Sequence, residues 1–519
     1  MSIRDDGKPD SLCVGRAPLC IEDIVELAEG RIRVALDPDP GYRAQLARGA
    51  AAVERALDQG RVIYGISTGV GASVDNAIPD RVRDLLPVNL VRFHGCGTGR
   101  ILDESEAAAV VAVRLASLAR GFSGVRPVLL ERLCEFLNLR LLPRIPAEGS
   151  VGASGDLTPL SYLAAAVLGE REVSLRGEVL SAADGLARAG LEPLALRARE
   201  SLAIMNGTSV MAALGCLAFA RALRLARWAS ALTAVASDGM RGNPAHFDAR
   251  IFALKPHPGT QRCAAWIRAD LARPAGASPV EPARVQDRYS LRCAPHVIGV
   301  LLDALDFSRS MLEIELNGVS DNPLVDPDSG DILHGGNFYG GHLCFALDGL
   351  KAAVANVADL LDRQLCLLCD PATSGGLPAN LVAAPEPERV AHHGFKAMQI
   401  TASALTAEAL KLSMPASVFS RSTESHNQDK VSMGMIAARD SLRVLELAET
   451  VAAVHTLALC QAVDLRDGDA DALRSTRLRD AVRKAVPTNT ADRRQDVDIA
   501  QVLALYQACE LPTGDLDPE

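Results

Sequence analysis

Aromatic side chains are scarce in this sequence, at 4% of 519 residues. The core must therefore close through small and aliphatic groups, with neighbouring elements packed tightly. Long apolar runs are missing too. No stretch offers the roughly 18 apolar residues that cross a bilayer. The most apolar segment, Met211 to Gly239, is cut by Arg221, Arg224 and Arg227. The first ten residues, MSIRDDGKPD, are polar and charged and hold no secretory apolar region. A soluble, cytoplasmic protein is expected. Basic charge is in deficit, with 54 Lys and Arg against 64 Asp and Glu and a net charge of −10. No basic run interleaved with aromatics occurs, which argues against a nucleic-acid partner. A disulfide framework is absent as well: twelve cysteines are scattered along a long chain. Cys366 and Cys369 share CxxC spacing, but they lack a second pair and a nearby histidine. They read as small apolar residues in a helix rather than as a zinc or redox site.

What the chain has is helical periodicity. From Gly434 to Leu465, Met435, Ala438, Leu442, Leu445, Ala448 and Ala452 recur at spacings of three and four, with Arg439, Arg443 and Glu446 on a neighbouring stripe. Similar patterns run over 107–139, 209–236, 296–316, 341–368 and 394–412. Strand-like runs are short, at 61–64 and 172–179. The fold class expected is mainly α, a long-helix bundle with a small mixed N-terminal part. Residues 1–200 would form that part, 201–470 the bundle and 471–519 a helical tail. Residues 271–284 read as a mobile surface loop, and both ends, before Leu12 and after Glu510, as frayed.

Polar, glycine-rich clusters stand between the helices: VIYGISTGVG at 62–71, NLVRFHGCGTG at 89–99, GSVGASGDLTPL at 149–160, MNGTSV at 205–210, QDRYSLRC at 286–293, SDNP at 320–323, HGGNFYGG at 334–341 and ESHNQDKVSMG at 424–434. Common site chemistries fail on them. The serine-hydrolase elbow GxSxG fails because glycine follows Ser154 one position early. GISTGVG lacks the GK[ST] ending of a phosphate loop, and HExxH is absent. No glycine fingerprint sits in a strand–helix–strand unit, so neither a metal nor a nucleotide is expected.

The triplet Ala153-Ser154-Gly155 remains, in a glycine-flanked loop before a helix. Gly155 has no Cβ, so its nitrogen can approach the Ala153 carbonyl. Attack there closes a five-membered ring, and loss of water from the ring and from Ser154 leaves an electrophilic methylidene. An ordinary turn or an N-cap serine is the structural alternative. With the other clusters in order, the chain resembles the aromatic amino acid lyase family, from Ile21 to Leu503. That family includes histidine, phenylalanine and tyrosine ammonia-lyases and related aminomutases. The resemblance implies a 4-methylidene-imidazole-5-one formed from Ala153, Ser154 and Gly155. It also implies a helical homotetramer whose active sites draw on three subunits. It makes Tyr64 the catalytic base and Arg292 the carboxylate clamp. Tyr289, Asn206 and Asn322 would surround ring and carboxylate, with Phe338 near the ring and Glu424, Asn427 and Gln428 facing the amine. Ser67, Val70 and Ser320 depart from the family's usual residues.

Phe93-His94 matches the pair that sets substrate choice in the family. Phe93 offers an aromatic wall, and His94 can donate to or accept from a para-hydroxyl. Gln428 stands where the resemblance puts glutamate in histidine enzymes. The expected substrate is therefore tyrosine and/or phenylalanine, giving p-coumarate and/or cinnamate. Histidine ammonia-lyase and a 2,3-aminomutase are the alternatives.

Overall fold

The computed structural model describes residues 11–273, 282, 284–466 and 474–516. The periodic segments are helices: Ser209–Gly239, Ala294–Asn317, Gly341–Cys369, Lys396–Lys411 and Gly434–Leu465. The segment expected as one helix over 107–139 is two, Glu104–Ala119 and Pro127–Leu139. Asp103 opens the first through a capping box with Glu106. Pro127 opens the second at the first-turn position, where its missing N–H costs nothing.

Strands are minor. The hairpin expected at 172–179 pairs Glu172–Leu175 with Glu178–Ser181. The strand expected at 61–64 does not form. The Ile63 amide donates to Ser67 Oγ (2.8 Å) and the Ser67 amide to the Ile63 carbonyl (3.0 Å), so the chain folds back on itself.

Direction matters most for the site. The Ser209, Gly341 and Gly434 helices start at the same end and run parallel. At that end the Thr208 amide donates to Ser320 Oγ (3.0 Å), and Ser320 Oγ donates to the Asn337 carbonyl (3.1 Å). The Met433 amide reaches the Val151 carbonyl (3.0 Å). At the far end Gln364 is hydrogen-bonded to both Thr233 and His455, one residue from each helix. The Ala294 helix runs the other way, its Glu315 carboxylate accepting from the Thr208 hydroxyl. Alanines close the contacts: Ala212, Ala213, Ala222, Ala226 and Ala229 are all buried on the Ser209 helix.

The Ser209–Gly239 helix corrects the expectation about apolar runs. By length and composition it suffices to cross a membrane, but 72% of its apolar window is buried inside the bundle. Arg221 pairs with Glu449 (2.8 Å) and Arg227 with Asp270 (2.8 Å), which is how charge is accommodated there. The C-terminal end is also less free than expected. Arg227 Nε donates to the Asp515 carbonyl (3.0 Å) and Arg262 to the Leu516 carbonyl (2.8 Å). At the other end Ser11–Val14 pairs in parallel with Arg33–Leu36. Residues 1–10 and most of the loop expected at 271–284 lie outside the described residues.

Candidate active site

The Ala153–Gly155 loop is bent back sharply. Ser154 has φ +50° and Gly155 φ +79°, both left-handed. Ser154 is not an N-cap; Asp156 holds that position before the Leu157–Leu168 helix. Gly155 lies in a bridge with Gly207, where a Cβ would overlap the Gly207 backbone. The Gly207 amide donates to the Ser154 carbonyl (3.0 Å), and the Asp156 amide to the Gly207 carbonyl (2.8 Å). Clamped on both sides, the triplet is held in the tight bend that ring closure between Gly155 N and the Ala153 carbonyl requires. The residues present therefore fit a self-made imidazolone.

Asp156 is fully buried and was missed as a separate site residue, although it lies inside the glycine-rich motif. Its carboxylate accepts from Val210 N (3.0 Å), Met211 N (2.9 Å) and Ser150 Oγ (3.2 Å). It thus ties the triplet to the start of the Ser209 helix. Burial pushes its carboxyl up to about 7, against the pull of those donors. Three long parallel helices begin around this loop, so their N-terminal partial charges favour an anion there.

Asn206 is buried beside the loop. Its amide donates to Asp321 Oδ1 (3.1 Å) and to the Asn322 carbonyl (3.0 Å). Asn322 Oδ1 accepts from the Gly335 amide (2.9 Å). Below them, the fully buried Arg114 donates to the Asn206 and Ser320 carbonyls (2.9 and 3.1 Å), while Arg199 pairs with Asp321 (2.5 Å). Neither arginine carried a motif signal, Arg114 lying mid-helix and Arg199 in the turn before the Glu200–Met205 helix. Phe338, half-buried, follows Asn337 at the same end.

Tyr64 is half-buried, and its hydroxyl accepts from the Gly71 amide (2.8 Å). Burial raises its pKa, the Gly71 bond lowers it, and the Glu424 charge raises it further. Glu424 accepts from the Ala72 amide (2.9 Å), and its carboxylate occupies the space a Cβ on Gly71 would need. Glu424, Ser425 and His426 are all left-handed, with φ of 53°, 53° and 65°. The Asn427 amide closes this turn on the Glu424 carbonyl (3.0 Å). Thr423 Oγ1 donates to Gln428 Oε1 (3.0 Å), which leaves the Gln428 N–H groups pointing away from Thr423.

His94 ends the Leu85–Phe93 helix, and its Nδ1 lies 2.9 Å from the Leu90 carbonyl. A carbonyl only accepts, so Nδ1 carries the hydrogen and Nε2 is left as an acceptor. Burial holds its pKa below the ordinary value, keeping the ring neutral. The Phe93 ring lies against it, tilted by 35° with centroids 4.0 Å apart, and Phe93 is 62% exposed.

Tyr289 and Arg292 are elsewhere. They form the short Tyr289–Arg292 helix, where the Arg292 guanidinium lies 4.7 Å from the Tyr289 ring centroid and Nε donates to the Asp287 carbonyl (2.9 Å). Gln364 bonds both Ser290 and Thr233, which puts this helix at the far end of the bundle. At 1.5 Å per residue, Thr233 is about 35 Å along the helix from Val210. One chain therefore brings together Tyr64, Ser154, Asn206, Asn322, Glu424 and Gln428, and holds Arg292 apart.

The Aromatic amino acid lyase family model matches residues 19–485. A histidine ammonia-lyase from Koribacter versatilis is 39% identical, covering 95% of this chain and 97% of that protein. A tyrosine aminomutase from Streptomyces globisporus superposes with a TM-score of 0.89 at 36% identity, over 96% and 97% of the two chains. A histidine ammonia-lyase from Trypanosoma cruzi does so with a TM-score of 0.87 at 30% identity, over 98% and 96%. The expected tyrosine or phenylalanine specificity is corrected by these relatives, since further curated ones at 38–41% identity are also histidine ammonia-lyases. The physical reason is that the Nε2 acceptor on which that expectation leaned suits an imidazole N–H as well as a phenol O–H, so His94 does not single out a phenol. A family match over residues 19–485, met by a clamped Ala153–Gly155 loop at the convergence of three helix starts, means that this chain belongs to the aromatic amino acid lyase family of carbon–nitrogen lyases.

Proposed function

We propose that the chain is a histidine ammonia-lyase, converting L-histidine to urocanate and ammonia. The agreement in name among curated relatives at 38–41% identity carries this reading. The polar groups support it. His94 Nε2 would accept from one imidazole nitrogen, and the Gln428 amide would donate to the other.

A 4-methylidene-imidazole-5-one made from Ala153, Ser154 and Gly155, with loss of two waters, would supply the electrophile that takes the substrate amine. The chain's own groups do the rest. Tyr64, as phenolate, removes the β-proton. Its hydroxyl is held on Gly71 N, so the oxygen has a fixed direction. The starts of three helices favour negative charge beside Ser154. Arg292 is matched to a carboxylate by its planar fork, but it must come from another copy of the chain. Tyr289 would come with it. The assembly proposed is thus a homotetramer with shared sites.

A second reading, a tyrosine 2,3-aminomutase, is favoured by one residue. Gln428 is a neutral amide where the resemblance puts glutamate in histidine enzymes, and the Streptomyces aminomutase aligns over 96% of the chain. One experiment separates the two. Purified protein is incubated with histidine, and separately with tyrosine, and the products are followed by ultraviolet absorbance and chromatography. Urocanate from histidine is the expected result. A β-amino acid from tyrosine, with no urocanate, overturns the proposal.

A further inference from the structure

The far end of the bundle holds a buried polar cluster inside an apolar core. Thr233, Gln364 and His455 each have no exposed surface, and each comes from a different long helix. Their hydrogens can be assigned by elimination. The Ser290 carbonyl can only accept, so the Gln364 NH2 faces it (2.9 Å). The second N–H of that group goes to Thr233 Oγ1 (2.9 Å), whose own hydrogen is used on the Ala229 carbonyl (2.9 Å). Gln364 Oε1 then faces His455 Nε2 (3.2 Å), which must donate. Burial lowers the His455 pKa to about 3, so the ring stays neutral and this pattern does not change with pH in the working range. Every hydrogen-bonding position of the Gln364 amide nitrogen is spent, one of them outside the bundle, on the helix that carries Tyr289 and Arg292.

That helix has only four residues and cannot hold its own orientation. Tyr289 is 72% exposed, so packing does not fix that side chain, and only Leu291 of the helix is buried. Its other anchor is Asp287, buried just before it. The Asn243 amide donates to the Asp287 carboxylate (2.7 Å), and the Asp287 amide to His246 Nε2 (3.0 Å). Arg292 leans on the carbonyl of the same Asp287. Besides the buried Leu291, polar contacts thus fix the Arg292 helix at two points, Asp287 and Ser290, and the second depends on Gln364.

We propose that Gln364, oriented by His455, is a positioning residue that aims Arg292 and Tyr289 at the substrate carboxylate in another copy's site. This rests on the reading of Arg292 as the carboxylate clamp. Arg292→Lys is measured first, with the amino acid that gives product. If it leaves KM unchanged, the clamp reading itself fails. If KM rises, Gln364→Met follows, a change that keeps volume and removes both donors. The expected result is a rise in KM of about three- to tenfold, on the scale of one lost hydrogen bond. The assembly size and the two-water mass loss at Ala153–Gly155 should stay near wild type. His455→Leu, which frees the amide to turn, should move KM in the same direction by less. In Ser154→Ala protein, Gln364→Met should weaken binding of the amino acid and leave its decarboxylated amine unaffected. An unchanged KM in Gln364→Met, with Arg292→Lys impaired, overturns the inference. So does failure of both variants to assemble, or an equal loss for amino acid and amine, because each makes the cluster purely structural.

Discussion

Tyr64, the base proposed above, shows how burial and two neighbours act on one phenol. A phenol ordinarily titrates near ~10, and here burial, then the Glu424 charge, push it upward against one Gly71 bond. Removing the charge should therefore lower it. In Glu424→Gln the amide oxygen can still accept from Ala72 N, so the loop contact survives while the repulsion goes. The rising limb of kcat/KM against pH should shift to lower pH. A limb that stays in place would show that Glu424 does not act on Tyr64 through charge. Tyr64→Phe should lower kcat by about 10²- to 10⁴-fold, the usual scale for a lost general base, with little change in KM. At His94 the fixed Nε2 acceptor makes a different forecast. His94→Leu should raise KM for histidine by about tenfold, as a good acceptor is replaced by an apolar surface facing an N–H. Equal KM values before and after would take His94 out of substrate recognition.

Elements were more legible in the sequence than the contacts between them. The Gly434–Leu465 helix is readable to its last residue because its apolar stripe and charged flank keep one period throughout. The break at 120–126 carries its own signals in Gly121, Gly124 and Pro127, but the apolar stretches on either side mask it. The turn at Ile63–Ser67 was misread as a strand because Val62, Ile63 and Tyr64 have the β-forming side chains but Ser67 captures the Ile63 amide. The Ala153–Gly155 triplet was visible, whereas Arg114, Arg199 and Asp321 were not, since their value depends on distant carbonyls and charges that only folding assembles. Asp156 lies between these cases: its motif was plain, its role as the acceptor for the Ser209 helix start was not. With its carboxyl pushed up to about 7, the native state keeps a proton that the unfolded chain releases near pH 4. Stability contributed by this group is therefore full below about pH 4 and lost as pH rises through about 7. Asp156→Asn keeps an oxygen for Val210 and Met211 and cannot ionise. Its thermal midpoint relative to wild type should improve from pH 5 to pH 8. A constant difference across that range would mean that the helix starts stabilise the carboxylate more than burial destabilises it.

The whole molecule poses a question that one chain cannot answer. Ser154 and Arg292 lie at opposite ends of a parallel helix set, the Val210 and Thr233 ends being about 35 Å apart by helix rise, and no rotation of a side chain spans that. Catalysis through both demands that a second copy run its far end past the first copy's Ser154 end. Closed symmetric oligomers provide this, because each copy gives and receives the same contact. The consequence is subunit complementation. Ser154→Ala lacks the electrophile but has a sound Arg292, and Arg292→Ala has the reverse defect. Each alone should be nearly inactive. Co-expressed in equal amounts, they should form mixed assemblies in which a site drawing Ser154 from one variant and Arg292 from the other is intact. Random assortment makes about one site in four of that kind. Recovery of about a quarter of wild-type kcat, with KM as in wild type, is the expected outcome. Mixing the separately purified, fully assembled variants without exchange should recover nothing. If co-expression also recovers nothing, although mixed assemblies are seen by mass, the two residues do not meet across copies. Arg292 would then have no part in binding the substrate carboxylate.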